Sequence, residues 1–95
     1  MTDIDLRHFI SERVQVLWED GGVRGWLQSI TFSEGTLELR MEEYILLPVG
    51  PFSEESSGSW TERLEECEVI HNSPGFVKIR GRHSGGMRCF VELKR

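Results

Sequence analysis

Cysteine is scarce in this chain, which has only Cys67 and Cys89 among its 95 residues. A structural metal site needs Cys and His ligands clustered at short spacing, and these two cysteines have no such companions. A disulfide would require that they lie on neighbouring strands, and disulfides are rare in cytoplasmic proteins. We therefore expect two buried free thiols rather than a disulfide or a metal site.

Long apolar runs are also absent. The longest spans residues 44–49, well short of the roughly 20 residues that a membrane helix needs. Near the N-terminus, Asp3, Asp5 and Arg7 interrupt any apolar stretch, so no signal peptide is expected. These absences predict a cytoplasmic protein without membrane insertion. The length and the 28% content of charged residues are typical of one globular domain, 1–95.

No catalytic, cofactor-binding or metal-binding signature is present. The three histidines, His8, His71 and His83, lie in different predicted elements without ligand spacing. Cys67 and His71 are four positions apart, which on a strand separates their backbones by about 13 Å. We expect a protein that is not an enzyme and that uses no cofactor.

The N-terminal segment has helical spacing. Leu6, Phe9 and Ile10 follow the i, i+3, i+4 pattern of one helix face. Thr2 or Asp3 is a suitable N-cap for this segment. The pattern predicts a short α-helix over 1–11 that packs on the remainder of the domain, because an isolated helix of this length is marginal in water.

From Glu12 onward, apolar and polar residues alternate with the period of a strand, most clearly over 37–41. Glycine-containing turns separate these runs, and Gly25 within a run predicts a bulge or a close backbone approach. Six strands joined by short turns predict an all-β fold, a small six-stranded antiparallel β-barrel with a short N-terminal α-helix. The chain divides into the helix (1–11), three strands (12–47), a long loop rich in Pro, Gly and Ser (48–60) and three further strands (61–95).

Positive charge is concentrated at the C-terminal end. Residues 1–77 hold five basic and fifteen acidic side chains, whereas residues 78–95 hold six basic and one acidic. Lys78, Arg80 and Arg82 project from one face of a strand, and Arg88 follows after the next turn. These four are candidate contacts for a phosphate, RNA or an acidic partner. The alternative is cross-strand ion pairing with acidic residues of the preceding strand: Glu62, Glu65, Glu66 and Glu68.

Two aromatic residues, Trp26 and Phe90, have the opposite parity to the predicted core positions beside them, Leu27 and Cys89. Both are therefore expected on the outer face of the barrel, where exposed aromatic surface indicates a cover or a partner. The cover is either the N-terminal helix or the long loop of the same chain, or a second subunit. Trp26 and Phe90 are thus the candidate interaction surface for a protein partner or a homo-oligomer.

Several short motifs resemble the Sm-like family. They are a strand at 13–16, an Asp-Gly turn at 19–22, strands at 24–27 and 37–39, and an Arg-Gly pair closing 77–81. This resemblance implies a ring-forming barrel that binds RNA. The sequence departs from the family through an extra hairpin before Arg80 and through Thr31, Phe32 and Ser33 in place of the RNA-reading residues.

The whole-chain layout of six strands with a basic N-terminal segment also resembles a PilZ domain, a family of which many members bind cyclic di-GMP. Residues 31–36 keep the serine of the family's Asp-x-Ser-x-x-Gly turn but lack its aspartate and misplace its glycine. Arg7 and Arg13 are too far apart for the family's arginine leader. The resemblance implies a PilZ-like adaptor that has lost cyclic di-GMP binding.

The sequence therefore predicts a non-enzymatic small β-barrel that acts as a binding or interaction module, with a protein partner or a second copy as its partner. The alternative is a ligand-binding barrel that contacts RNA or a cyclic dinucleotide through Lys78, Arg80, Arg82 and Arg88. The alternative predicts an affinity that falls steeply with salt.

Overall fold

The alternation of apolar and polar residues produces six strands in which each pairs with the next and the last pairs with the first. The structure is a computed structural model that describes residues 5–48, 50 and 56–95. The strands are β1 (Arg13–Trp18), β2 (Gly21–Ser33), β3 (Thr36–Leu47), β4 (Ser59–Ser73), β5 (Phe76–Arg82) and β6 (Arg88–Lys94). All pairings are antiparallel, and the barrel is closed in the order β1-β2-β3-β4-β5-β6. The predicted six-stranded barrel is confirmed.

Short turns at predicted positions connect the strands. Trp18 pairs with Gly21, so Glu19 and Asp20 alone form the first turn. Between β2 and β3, Glu34 and Gly35 both have positive φ, at 53° and 77°. Two successive positive φ values are typical of a type I′ hairpin turn, which matches the twist of the strands that it joins.

Apolar side chains occupy most of the inward-facing positions of the barrel. Buried residues alternate with half-buried or exposed ones along β1, β5, β6 and the first half of β3. Closure leaves no unpaired strand edge within the described strands, which removes a site of edge-to-edge association. The core comprises Leu6, Phe9, Val14, Val16, Val23, Leu27, Ile30, Leu37, Leu39, Met41, Leu64, Val77, Ile79, Cys89, Val91 and Leu93.

Bulges bend the longer strands around the barrel. The predicted irregularity at Gly25 is confirmed, since the register between β2 and β3 shifts there. The extra residue lies on β3, where Glu43 has a φ of 51°. A Cβ atom at Gly25 would lie 2.8 Å from the carbonyl oxygen of Glu42, so only glycine permits this approach of the two backbones.

The predicted N-terminal α-helix is wrong in type and extent. The described part of this segment contains one 3-10 turn, Arg7–Phe9. Leu6 and Phe9 are buried as predicted, whereas Ile10 is 39% exposed. A 3-10 helix has three residues per turn, so positions i and i+3 face the barrel and position i+4 does not. The proposed caps Thr2 and Asp3 lie outside the described residues.

None of the helical structure in the described residues has the length or apolar character needed to cross a bilayer.

The long connection between β3 and β4 falls where the Pro-, Gly- and Ser-rich segment predicted a loop. β3 ends at Leu47, and β4 begins at Ser59, within the predicted loop 48–60. The backbone N–H of Ser56 donates to the carbonyl of Tyr44 at 2.8 Å, which ties the C-terminal side of this connection to β3. Residues 49 and 51–55 of the connection lie outside the described residues.

Candidate binding face

The outer faces of β2, β1, β6 and β5 form one continuous surface. Arg13 lies at its centre, because it is directly opposite Trp26 on β2 and Lys94 on β6. Two residues further along the same face of β1, Gln15 is opposite Arg24 on one side and Glu92 on the other. Directly opposite residues on one face of a sheet have Cβ atoms about 5 Å apart, so these side chains are in contact range.

Two adjacent depressions occupy this surface. The first, here called the basic depression, has a volume of about 150 Å³ and is lined by Arg13, Gln15, Arg24, Glu92 and Lys94. The second, here called the indole depression, has a volume of about 210 Å³. It is lined by Arg13, Arg24, Gly25, Trp26, Glu43 and Ile45. Arg13 and Arg24 are common to both.

The four predicted anion contacts lie on β5 and β6, and three of them are paired with carboxylates. Arg80 is ion-paired with Glu68, and the Nε atom of Arg82 lies 3.3 Å from Oε2 of Glu66. These pairs join β5 to β4, as the alternative interpretation of the charge asymmetry predicted. Their charges are thereby compensated across the hairpin, which is the ordinary stabilising role of such pairs.

Lys78 and Arg88 complete the predicted set. Lys78 Nζ lies 3.3 Å from Oε2 of Glu92 on the neighbouring strand. Arg88 has no carboxylate within ion-pair distance among the described residues, and it lies opposite Arg82 at the far end of the β5–β6 hairpin. The structure therefore brings these four cations to one side of the barrel, but not into one shared depression.

A different set of cations has no acidic partner among the residues that the structure describes. Within the part of the chain that the structure describes, no carboxylate lies in ion-pair range of Arg13, Arg24 or Lys94. All three line the basic depression. These three residues form no local pattern in the sequence, because they come from three strands and the closing pair of β1 with β6 brings Arg13 beside Lys94.

The carboxylate that lines the basic depression, Glu92, is already engaged. Gln15 Nε2 donates a hydrogen bond to Glu92 Oε1 at 2.5 Å, and Lys78 approaches the other oxygen. Its side chain is only 15% exposed. Glu92 therefore interacts with Gln15 and Lys78, and it forms no ion pair with Arg13, Arg24 or Lys94.

The predicted outward orientation of Trp26 and Phe90 is confirmed, but neither presents a bare apolar surface. The guanidinium carbon of Arg13 lies 4.6 Å from the centre of the Trp26 ring, and Lys78 Nζ lies 5.1 Å from that of Phe90. Both are cation–π contacts. Trp26 remains 41% exposed, whereas Phe90 is half-buried. The outer face is thus both cationic and aromatic.

At one end of the barrel, a carboxylate points into the interior. Glu62 shares the inward parity of Leu64, and its side chain is only 4% exposed. Trp60 Nε1 donates to Glu62 Oε1 at 3.0 Å, and His83 Nε2 lies 2.6 Å from Oε2. Glu62 therefore does not compensate the basic strand as the ion-pairing interpretation predicted. It anchors the residue that follows β5.

Further aromatic rings pack around Trp60 at this end. The centre of the Trp18 ring lies 6.3 Å from that of Trp60 in a stacked arrangement, and Tyr44 lies edge-on at 5.3 Å. His83 itself lines a shallow depression of about 180 Å³ with Arg63, Glu65 and Ser84. The aromatic rings and the Glu62–His83 pair together close the barrel end.

The two cysteines are free thiols on either side of Gly81, and Cys89 is buried as predicted, whereas Cys67 is only half-buried. Cys89 is opposite Gly81 on β6, and a Cβ atom at Gly81 would lie 2.7 Å from Cys67 Sγ on β4. Because β5 separates their strands, their backbones are about 9.6 Å apart, which is too far for a disulfide without backbone movement. Burial raises the pKa of both thiols above the ordinary value of 9.0. Among the described residues, no group of three or more His, Cys, Asp or Glu side chains is arranged to hold a metal ion.

Met87 shares the parity of the buried residues Cys89, Val91 and Leu93 but lies outside β6. It precedes the first residue of the strand, Arg88, and is 44% exposed. Parity within a strand therefore does not extend to the turn before it.

Comparison of the chain with protein-family models, with curated proteins and with solved structures finds no match.

Proposed function

We propose that this chain is a non-enzymatic binding module that holds an anionic group of a partner in the basic depression. The observation that carries the proposal is the convergence of Arg13, Arg24 and Lys94 on one depression of about 150 Å³, with no carboxylate in ion-pair range of any of them in the described ranges. Like charges brought together on a folded surface repel one another, and a bound anion relieves that repulsion.

The side-chain chemistry of the depression suits an oxyanion. Two guanidinium groups supply planar, paired N–H donors for carboxylate or phosphate oxygens, and the ammonium group of Lys94 adds a mobile third donor. Hydrogen bonds between charged partners are stronger than those between neutral groups. The contact of Arg13 with the Trp26 ring holds one guanidinium in place before binding.

The predicted alternative used Lys78, Arg80, Arg82 and Arg88 for RNA or a cyclic dinucleotide. Three of these are already paired with glutamates, so an incoming phosphate would compete with Glu92, Glu68 and Glu66. That competition favours the basic depression as the anion site. The resemblance to PilZ and Sm-like domains and the cytoplasmic location stay predictions.

The test is a titration of the full chain with sodium sulfate at low ionic strength, followed by the backbone amide shifts. We expect saturable shift changes centred on Arg13, Arg24 and Lys94 and no comparable change on β4. Replacing Arg24 by Gln should weaken sulfate binding about tenfold, because one charge-assisted contact is lost.

Arg40→Gln is the matched control. Arg40 lies on the outer face of β3 near Glu42, away from the depression. This variant should bind sulfate as the unchanged protein does. Linear, non-saturating shifts spread over all basic residues, or an equal effect of both arginine variants, would refute a built anion site.

A further inference from the structure

The two depressions on the outer face are neighbours with different chemistry. The basic depression offers cations, whereas the indole depression offers the exposed ring of Trp26 together with Ile45, which lies opposite Arg24 across the β2–β3 pair. Arg13 and Arg24 form the boundary between them. A ligand that fills both must carry an anionic group directly beside an apolar one.

The size of each depression limits what it can hold. Their volumes are about 150 and 210 Å³, and a protein cavity of about 150 Å³ accommodates a molecule of the size of benzene. Each depression is therefore of the size of one side chain. The pair fits two neighbouring side chains of a peptide better than it fits a long charged polymer.

We propose that the occupant is a short, extended segment of a partner protein in which an Asp or Glu stands two positions from a bulky apolar residue, so that both side chains lie on one face of the segment. The carboxylate would lie in the basic depression between Arg13, Arg24 and Lys94. The apolar side chain would pack on Trp26 and Ile45. This proposal rests on the proposed function and adds the chemical class of the partner.

The charges around the site favour this occupant over a nucleic acid. Glu92 lines the basic depression and Glu43 lines the indole depression, so the free cations are flanked by carboxylates on both sides. The whole chain has a formal charge of −5. A polyanion gains affinity by neutralising many phosphates along a basic surface, which three cations between two carboxylates do not provide.

The experiment is a selection of random peptides displayed on phage against the immobilised full chain, with Arg24→Gln and Trp26→Ser as parallel targets. We expect the unchanged protein to enrich peptides in which an acidic residue stands two positions from Leu, Ile, Phe or Met. The Arg24→Gln target should lose the acidic preference, and the Trp26→Ser target should lose the apolar one. The Arg40→Gln variant, which changes an arginine outside both depressions, should enrich the same peptides as the unchanged protein.

A selected peptide is then synthesised with a fluorescent label, and its affinity is measured by anisotropy. Binding should weaken about tenfold with Arg24→Gln, since one charge-assisted hydrogen bond is removed. A peptide in which Asn replaces the acidic residue should lose a comparable factor. Circular dichroism of each variant establishes that the barrel is folded, and Trp26→Phe replaces Trp26→Ser if the latter unfolds.

Several results would overturn the proposal. One is enrichment of basic or uncharged peptides, or none at all. Another is a labelled oligouridine of eight nucleotides that binds more tightly than the best peptide and depends on Arg24, which would assign the face to nucleic acid. A third is concentration-dependent self-association that Arg24→Gln abolishes, which would assign it to a second copy. If sulfate saturates the basic depression but no acidic peptide is selected, the proposed function stands and the peptide proposal fails.

Discussion

From the contacts of Glu62 at the barrel end, we expect the effects of Glu62 and His83 on the free energy of unfolding to be coupled. The carboxylate of Glu62 is almost fully enclosed and has two partners, Trp60 Nε1 and His83 Nε2. Replacing His83 by Ala leaves one oxygen of a buried carboxylate without its partner. Leaving a buried polar group without its hydrogen-bond partner costs about 1–3 kcal/mol. His83 is 41% exposed, so water can replace part of the lost contact. We therefore expect a loss of about 2 kcal/mol.

Urea unfolding of His83→Ala measures this loss. For a domain of this size, about 2 kcal/mol corresponds to a fall in Tm of roughly 8–16 °C, and to a fall of about 1 M in the urea midpoint. The matched control is His71→Ala. His71 is exposed, and its side chain lies near the Ser73 hydroxyl and the Phe76 ring, so its removal should change the stability by less than about 0.5 kcal/mol.

A double-mutant cycle separates the pair from the rest of the barrel end. In Glu62→Gln the side chain is neutral and still accepts a hydrogen bond from Trp60, so the additional loss of His83 should cost only about 0.5–1 kcal/mol. The coupling energy should therefore exceed about 1 kcal/mol. If His83→Ala is as costly in the Glu62→Gln background as in the unchanged protein, or is harmless in both, the contact between Glu62 and His83 does not stabilise the barrel end and the reasoning is refuted.

Two further predictions follow from the barrel interior. Gly25→Ala should destabilise the fold by about 1–3 kcal/mol in urea unfolding, because the added Cβ meets the Glu42 carbonyl at 2.8 Å, while Gly85→Ala, with nothing within 4 Å, should be near neutral; equal effects would contradict the close approach. Cys67 and Cys89 should react with a thiol reagent more slowly in the native protein than after unfolding, because burial raises the pKa of both thiols and lowers their thiolate fraction. Since the thiols of the unfolded chain ionise at a lower pH than those of the native protein, the free energy of unfolding should fall as the pH rises through 9.0. Labelling of the native protein as fast as that of the unfolded chain would contradict the raised pKa values.

Local patterns predicted the barrel because they record which face of a strand is buried. The alternation over 37–41 and the shared parity of Cys89, Val91 and Leu93 each agree with the burial found in β3 and β6. Gly35 and Gly86 lie in two of the turns between strands, where both have a positive φ that favours glycine. These features depend on neighbours close in the chain, which a single sequence displays.

The helix and the orientation of Glu62 were beyond the same patterns. The spacing of Leu6 and Phe9 suits a 3-10 turn as well as an α-helix, and only the exposure of Ile10 separates the two. In β4, apolar residues occur at both parities, as Leu64 and Val69 show. The bulge around Glu66, whose φ is 54°, changes which parity faces inward. Because the sequence does not display the bulge, the alternation in β4 does not decide whether the Glu62 side chain faces the interior or the solvent.

The candidate site was missed for a different reason, which concerns the register between distant strands. Lys78 and Arg80 stand out in the sequence as a basic run, but their opposite neighbours include Glu92 and Glu68, which compensate them. Arg24 stands out in no local pattern, yet its opposite neighbours Gln15 and Ile45 carry no charge.

A cation is available to an anionic partner when the residues opposite it are neutral or basic. In this barrel that condition holds for Arg13, which is opposite Trp26 and, through closure of β1 with β6, opposite Lys94. Closure joins positions near the two ends of the described chain, and no local composition reports it. The density of positive charge along a sequence is therefore a poor guide to anion binding in a closed barrel, because it counts cations without the acidic residues on the adjacent strands. The register decides which charges remain free.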